Sequence, residues 1–212
     1  MSKPPQTLQW LVWGTLALII AAIVGVFAIS KFNATPPLPV ISRIPDFTLT
    51  NQDDRAVALA DLRGKVWIAD IIFTQCGGPC PKMTREMSEL QSVLPPDCRL
   101  LTLTTDPEHD LPAVMKKYGE KFGADFNRWT FLTGDKKEIY KLGVEGLKLS
   151  SVEIDPKDRK SVDDLFIHAT YFVLVDSQGR LRAVFETVGD DVDWNKIKPQ
   201  IISAVKNLAR ER

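Results

Sequence analysis

The five residues Cys76-Gly77-Gly78-Pro79-Cys80 constrain this chain more than any other stretch. They follow the apolar run Val66 to Phe73, which reads as a central strand covered on both faces, and they precede Pro81 to Met87, which reads as the opening of an amphipathic helix. A buried strand that turns directly into a helix belongs to a sheet with helices packed against it. Two thiols closing such a turn can form a disulfide, hold a soft metal, or do both in turn. The unpaired N–H groups and positive dipole end of a helix start favour a thiolate, the form that attacks disulfides and binds metal. Gly77 and Gly78 leave the backbone free to bring both sulfurs onto one ligand or onto each other.

The flanking segments place this turn in a fold. Phe47 to Thr50 and Val57 to Leu59 read as a hairpin around the turn Asn51 to Asp54, and Leu100 to Leu103 and Trp129 to Leu132 read as strands. Met83, Met87, Leu90 and Leu94 fall at helical spacing until Pro95-Pro96 stops the helix, and a second helix is expected over Leu111 to Phe122. Asp135 is placed to cap a third helix running through Leu142, and a fourth is expected from about Asp193 to Arg210. Tyr171 to Val175 and Leu181 to Phe185 form a hairpin, while Gly146 to Leu165 reads as an irregular arm. This order predicts an α/β fold, a mixed sheet with helices on both faces, and a cysteine pair at the first βα junction makes the thioredoxin-like fold the natural candidate. Asp70, inside an otherwise apolar strand, requires an explanation.

From Trp10 to Ile29 the chain has 20 residues without a charge, enough at about 1.5 Å each to span a hydrocarbon core of roughly 30 Å. The reading is an uncleaved transmembrane anchor; the stretch is longer than the apolar part of a cleavable signal, for which Val26-Phe27-Ala28 would offer the site. Pro36, Pro37, Pro39 and Pro45 then mark a stiff spacer. The expected organisation is a short segment 1–9, an anchor 10–29, a linker 30–45 and a soluble domain 46–212 on the far side of a membrane. With 27 basic and 27 acidic residues and no basic block, nucleic acid is excluded as a partner. Three cysteines are too few for a disulfide-stapled scaffold, so a close pair plus one leftover points to a working pair.

Thioredoxin-type oxidoreductases keep two residues between their cysteines; here there are three, although Gly78-Pro79-Cys80 echoes the same letters. His168, one of two histidines, lies just before the strand that starts near Ala169, and in a thioredoxin-like sheet the loop before that strand faces the cysteine turn. On residue chemistry alone it is either a ligand or a structural histidine. Two thiolates with one imidazole suit monovalent copper and also bind divalent copper, whereas zinc more commonly takes a fourth ligand. Asp106 reads as a turn or helix-capping residue before Pro107, and His109 reads as an exposed loop histidine. Met83 and Met87 match the buried face of their helix, and Cys98 reads as an inert, partly buried thiol.

Four blocks in order carry a resemblance: Phe73-Thr74-Gln75-Cys76 with Cys80-Pro81, the run Thr105 to Pro112, the run Trp129 to Gly134, and His168 eight residues before Asp176. Together they resemble the Sco/SenC family, membrane-tethered thioredoxin-like copper proteins that assist assembly of the dinuclear copper centre of cytochrome c oxidase subunit II. The resemblance implies copper, Cu⁺ or Cu²⁺, held by Cys76, Cys80 and His168. It also implies delivery to oxidase subunit II from the extracytoplasmic side, in a bacterium the inner membrane facing the periplasm. The runner-up is a thiol-disulfide oxidoreductase in which Cys76 and Cys80 are the redox-active pair and reduce the acceptor's cysteines. A peroxiredoxin-type peroxide reductase is disfavoured, because the turn lacks that class's peroxidatic-cysteine context. Three positions depart from the family pattern: Gly77 replaces the first proline of the cysteine motif, Ile167 stands where an acidic residue often precedes the histidine, and His109 replaces an arginine. The first loosens the turn and alters its redox poise; the second removes a partner that would orient the imidazole.

Overall fold

A computed structural model of the chain describes residues 6–32, 37–149, 152–153, 166–167 and 170–211. It separates into two units, Met1–Pro37 and Leu38–Arg212. The first contains one continuous helix, α1 (Gln6–Phe32). The apolar stretch is therefore helical, and Trp10 and Trp13 are 80% and 67% exposed. The expected membrane span is nevertheless not established: among the described residues no helix is long and apolar enough to cross a membrane.

The second unit is built on one sheet of eight strands in the order β1-β10-β9-β4-β5-β6-β2-β3. In chain order its elements begin with β1 (Ser42–Arg43), β2 (Thr48–Asn51), β3 (Ala56–Ala58), the short helix α2 (Leu59–Leu62) and β4 (Trp67–Ile72). Then come α3 (Cys80–Val93), β5 (Arg99–Thr104), α4 (Pro112–Lys121), β6 (Trp129–Thr133), α5 (Lys136–Tyr140) and a π-helical turn, Lys141–Gly146. A small separate pair, β7 (Val152–Glu153) and β8 (Phe166–Ile167), precedes β9 (Tyr171–Val175), β10 (Arg180–Glu186) and α6 (Trp194–Arg210). β4 pairs in parallel with β5 and β5 with β6, while β9 runs antiparallel to β4, so the sheet is mixed as expected.

Alternation along β4 sorts its residues onto two cores, because successive strand side chains point to opposite faces. Ile68 and Ile72 join Met83, Met87 and Leu90 of α3, Met115 of α4 and Ile201 and Val205 of α6. Trp67, Ala69 and Ile71 join Leu59 and Leu62 of α2, Ile139 of α5 and Leu142 of the π-helical turn. Helices thus cover both faces, and Met83 and Met87 are fully buried packing residues, as their spacing predicted. Asp135 caps α5 by accepting from Lys137 N and Glu138 N, and Asp193 caps α6 by accepting from Asn195 N.

Two features were not legible in the sequence. Residues 38–45, whose prolines suggested a spacer, already belong to the sheet edge: Ser42 pairs with Leu181 and Arg43 with Arg180. Arg182 holds this entry, donating from Nη2 to the Leu38 carbonyl at 2.6 Å while Nη1 binds Asp176 at 2.8 Å and Nη2 binds Glu211 at 2.9 Å. The second feature is Asp70. It shares the parity of Ile68 and Ile72 and so faces the α3 layer, where it is fully buried. Its Oδ1 accepts from the Thr102 hydroxyl at 2.7 Å, and Thr102 in turn accepts from Trp129 Nε1 at 2.9 Å. Among the described residues its Oδ2 has no partner. Burial pushes its pKa up to about 7.

Two outcomes follow from these buried charges. Arg182→Met leaves Asp176 short of a partner and releases the chain entry, lowering stability by roughly 3 kcal/mol in denaturant unfolding. For Asp70 the folded-state pKa lies above the unfolded value, so the native state holds the extra proton and stability falls as pH rises from about 4 to about 7. Between pH 5 and 7.5 the protein should lose roughly 2 kcal/mol more than Asp70→Asn does, read from urea midpoints at the two pH values.

Candidate metal centre

The cysteine turn leaves the C-terminal end of β4, a central strand, and its second cysteine is the first residue of α3. Pro79 is the N-cap and Pro81 stands in the first turn, where the missing N–H costs nothing. Gly77 and Gly78 are exposed, whereas the sulfur-bearing residues are not: Cys76 is 5% and Cys80 0% exposed. No disulfide joins Cys76, Cys80 or Cys98. The Cys76 and Cys80 thiols are hydrogen-bonded to each other, so the turn brings the two sulfurs into one place.

Electrostatics at this pair differ from the expectation for a helix start. The Cys80 thiol is pushed well above its ordinary range, first by its hydrogen bond with Cys76, then by burial and by the nearby Cys76 and Asp70 charges. A backbone hydrogen bond from Phe73 opposes this and is outweighed. The helix dipole does not win here, because burial in the α3 layer and a second ionisable sulfur both disfavour the anion. Cys80 is therefore held as a thiol until something displaces its proton. Tyr118 is pushed upward as well, by burial; its hydroxyl pairs with the Thr84 hydroxyl at 2.9 Å, and Thr84 donates to the Cys80 carbonyl at 2.8 Å.

The loop after β5 lies against the same end of β4. Thr105 N donates to the Ile72 carbonyl at 2.8 Å, and Asp110, 1% exposed, accepts from Thr74 N at 3.0 Å and from the Thr74 hydroxyl. Asp106 is largely buried, donates its backbone N–H to the Thr104 hydroxyl oxygen at 2.9 Å, and its carboxylate holds His109 Nδ1 at 2.9 Å. That carboxylate, by hydrogen bond and by charge, raises the pKa of the exposed His109 imidazole. The structure therefore brings Cys76, Cys80 and the 105–110 loop together. It leaves Cys98 apart, 2% exposed in the main core behind α3, more buried than its sequence position suggested. His168 lies outside the described residues.

Asp70 and Asp110 are the groups that residue-by-residue reading missed as parts of this neighbourhood. Asp70 signalled itself only as a charge in an apolar strand, and Asp110 only as the last acid of the run Thr105 to Asp110. Among the described residues no group of three or more His, Cys, Asp and Glu side chains could hold a metal ion. Two sulfurs in contact still form a soft, two-donor site that lacks only a further ligand.

The chain resembles known proteins over this same domain. A family model described as SCO1/SenC matches residues 40–202. The SCO1 protein homolog of Bacillus subtilis is 35% identical over 162 residues, 73% of this chain and 81% of that protein. A protein of Stutzerimonas stutzeri named as a putative copper-binding protein is 28% identical over 169 residues, 78% of this chain and 79% of its own length. Among solved structures, BsSco, described as a member of the Sco family of cytochrome c oxidase assembly proteins with a disulfide switch, superposes with a TM-score of 0.67 at 31% identity. That match covers 83% of this chain and 99% of BsSco. With its cysteine turn at the βα junction of a matching fold, the chain belongs to the SCO1/SenC family.

Proposed function

We propose that this protein is a copper metallochaperone that carries one copper ion on Cys76, Cys80 and His168 and hands it to the dinuclear copper site of cytochrome c oxidase subunit II. The observation that carries the reading is the contact between two undisulfided thiols at the start of α3, in a chain of the SCO1/SenC family. Two relatives bear on the cargo and its use: one is named for copper binding and another is described as an oxidase assembly protein. Soft thiolates suit Cu⁺, and the addition of an imidazole also accommodates Cu²⁺.

Support for His168 comes from its neighbours in the chain. β9 runs antiparallel to β4, with Trp67 opposite Val175 and Ala69 opposite Val173, so the start of β9 lies toward the end of β4 where the cysteine turn begins. Thr170 accepts from Thr187 N at 2.8 Å, and the Thr187 carbonyl accepts from Lys82 Nζ at 3.2 Å. Two residues beyond His168, the chain is thus tied to the first turn of α3, beside Cys80.

Loading follows from the state of the thiols. Because Cys80 is held protonated, copper binding displaces thiol protons, and apparent affinity rises with pH. Release to an acceptor proceeds by ligand exchange, for which a site of few ligands leaves the ion open to incoming sulfur. We read the apolar helix α1 as a single-pass anchor, residues 30–45 as its connection, whose last part, 38–45, is held along the sheet edge, and 46–212 as the copper-binding domain on the extracytoplasmic side. A second reading is favoured by the same contact: two adjacent thiols flanking a glycine pair can close into a disulfide, and a disulfide switch is described for BsSco. The protein would then reduce the acceptor's cysteines, a thiol-disulfide oxidoreductase acting on the same partner.

Copper titration of the reduced protein separates the two readings. Binding should saturate at one copper per chain, be lost in Cys76→Ser and Cys80→Ser, and survive in Cys98→Ser. His168→Ala should weaken affinity at least roughly tenfold, about 1.4 kcal/mol, while leaving disulfide formation between Cys76 and Cys80 intact. Normal oxidase assembly by His168→Ala at low copper would transfer the assignment to the reductase.

A further inference from the structure

The two sulfurs sit on limbs that are anchored separately. On the Cys80 side the anchor is α3 itself, reinforced by the Thr84 hydroxyl on the Cys80 carbonyl. On the Cys76 side the chain makes a single turn, with Cys76 N donating to the Phe73 carbonyl at 3.2 Å, and Thr74 stands within that turn. Thr74 is held from outside by one carboxylate: Asp110 Oδ2 accepts from its backbone N–H at 3.0 Å, and Oδ1 accepts from its hydroxyl. The same carboxylate accepts from the Thr104 hydroxyl at 2.5 Å, at the end of β5. Asp110 is fixed in turn, because its own N–H donates to the Asp106 carbonyl at 2.8 Å.

Gly77 and Gly78 are exposed, and a Cβ built at Gly78 would approach only the Cys76 sulfur, at 3.9 Å. Thr74, two residues before Cys76, is a point at which the Cys76 limb is fixed from outside the turn. Closure to a disulfide requires the sulfurs to approach to about 2.05 Å with a restricted dihedral angle, which moves at least one limb.

We propose that Asp110 is a positioning residue that sets the balance between dithiol and disulfide at Cys76 and Cys80. By clamping Thr74 to the end of β5 it holds the Cys76 limb in the open arrangement that a metal ion can bridge, and it resists closure. The effect on copper rests on the metallochaperone reading; the effect on the thiol equilibrium does not.

The test equilibrates the full chain, in mild detergent, with mixtures of glutathione and its disulfide. In this exchange Cys76 and Cys80 form one S–S bond and give up two protons and two electrons, and glutathione disulfide takes both to yield two glutathione thiols. Asp110→Ala should shift the equilibrium toward the protein disulfide at least tenfold, about 30 mV for a two-electron couple. Asp110→Asn keeps an oxygen acceptor and offers N–H donors to the threonine oxygens, so it should stay within about threefold of the parent. Thr74→Val should shift the equilibrium in the same direction by less, and the Asp110→Ala/Thr74→Val double variant no further than Asp110→Ala alone. An unchanged equilibrium in Asp110→Ala, an equal shift in Asp110→Asn, or additive effects would overturn the proposal. Should circular dichroism show Asp110→Ala unfolded, Thr74→Val decides alone, and the absence of a shift toward the disulfide in that variant overturns it. In parallel copper titrations, failure of the parent chain to bind would sink the metallochaperone reading and leave the glutathione result as the judgement on Asp110.

Discussion

A strand buried on both faces cannot end anywhere in a sheet without deciding what stands beyond it. β4 lies between β5 and β9, sends Ile68 and Ile72 into one core and Trp67, Ala69 and Ile71 into the other, and then releases the chain into the cysteine turn. Because α3 packs Met83, Met87 and Leu90 onto the first of these cores, its first residue, Cys80, is drawn into the interior with it. The hydrophobic burial of one βα unit thereby fixes where the second sulfur sits. Cys76 is brought to meet it by a turn whose glycines impose no shape of their own. The loop after β5, the start of β9 and the first turn of α3 all converge on this end of the sheet.

That placement has an electrostatic consequence for the chemistry. A thiol at an exposed helix start is activated by the dipole, but a thiol at a buried helix start, beside another thiol and above a buried carboxyl, is stabilised in its neutral form. Such a pair is poorly suited to constant nucleophilic attack and well suited to waiting for a ligand that displaces its protons. Asp70, with one oxygen bonded to Thr102 and the other without a partner among the described residues, adds a second proton-holding group to the same layer. The protonation state of the two sulfurs is thus governed by the interior beneath the turn as much as by the turn itself.

The departures from the family pattern take on physical meaning in this frame. His109, standing where the family has an arginine, is paired with Asp106, which places an imidazole on the rim of the 105–110 loop without disturbing the bonds that Asp110 makes to Thr74. Gly77, replacing a proline, removes a restraint from the turn. Outside the turn, Thr74 and Thr84 are anchored by a residue distant in sequence and by the helix.

Much of the architecture could be read directly from residue order. The period-two and period-3.6 patterns located β4, β5, β6, the β9–β10 hairpin, α3, α4 and α6, and Asp135 and Asp193 marked their helix starts, because these signals are local and each is decided by a few neighbouring side chains. The cysteine pair, expected at a βα junction, lies between β4 and the start of α3. What remained hidden was whatever depends on partners remote in sequence. Residues 38–45 looked like a spacer and became a sheet edge, because Arg182, Asp176 and Glu211 hold that entry from the far end of the chain. The Cys80 thiol looked activated and is instead suppressed, because burial depends on which helix covers it. The staple from Asp110 to Thr74 spans 36 residues and leaves no periodic trace. Sequence alone determined the order of the main strands and helices and the pairing of two sulfurs in one turn; only the tertiary structure decided how deeply they lie, what charge state they hold and which carboxylate is bonded beside them, since those are properties of packing between segments.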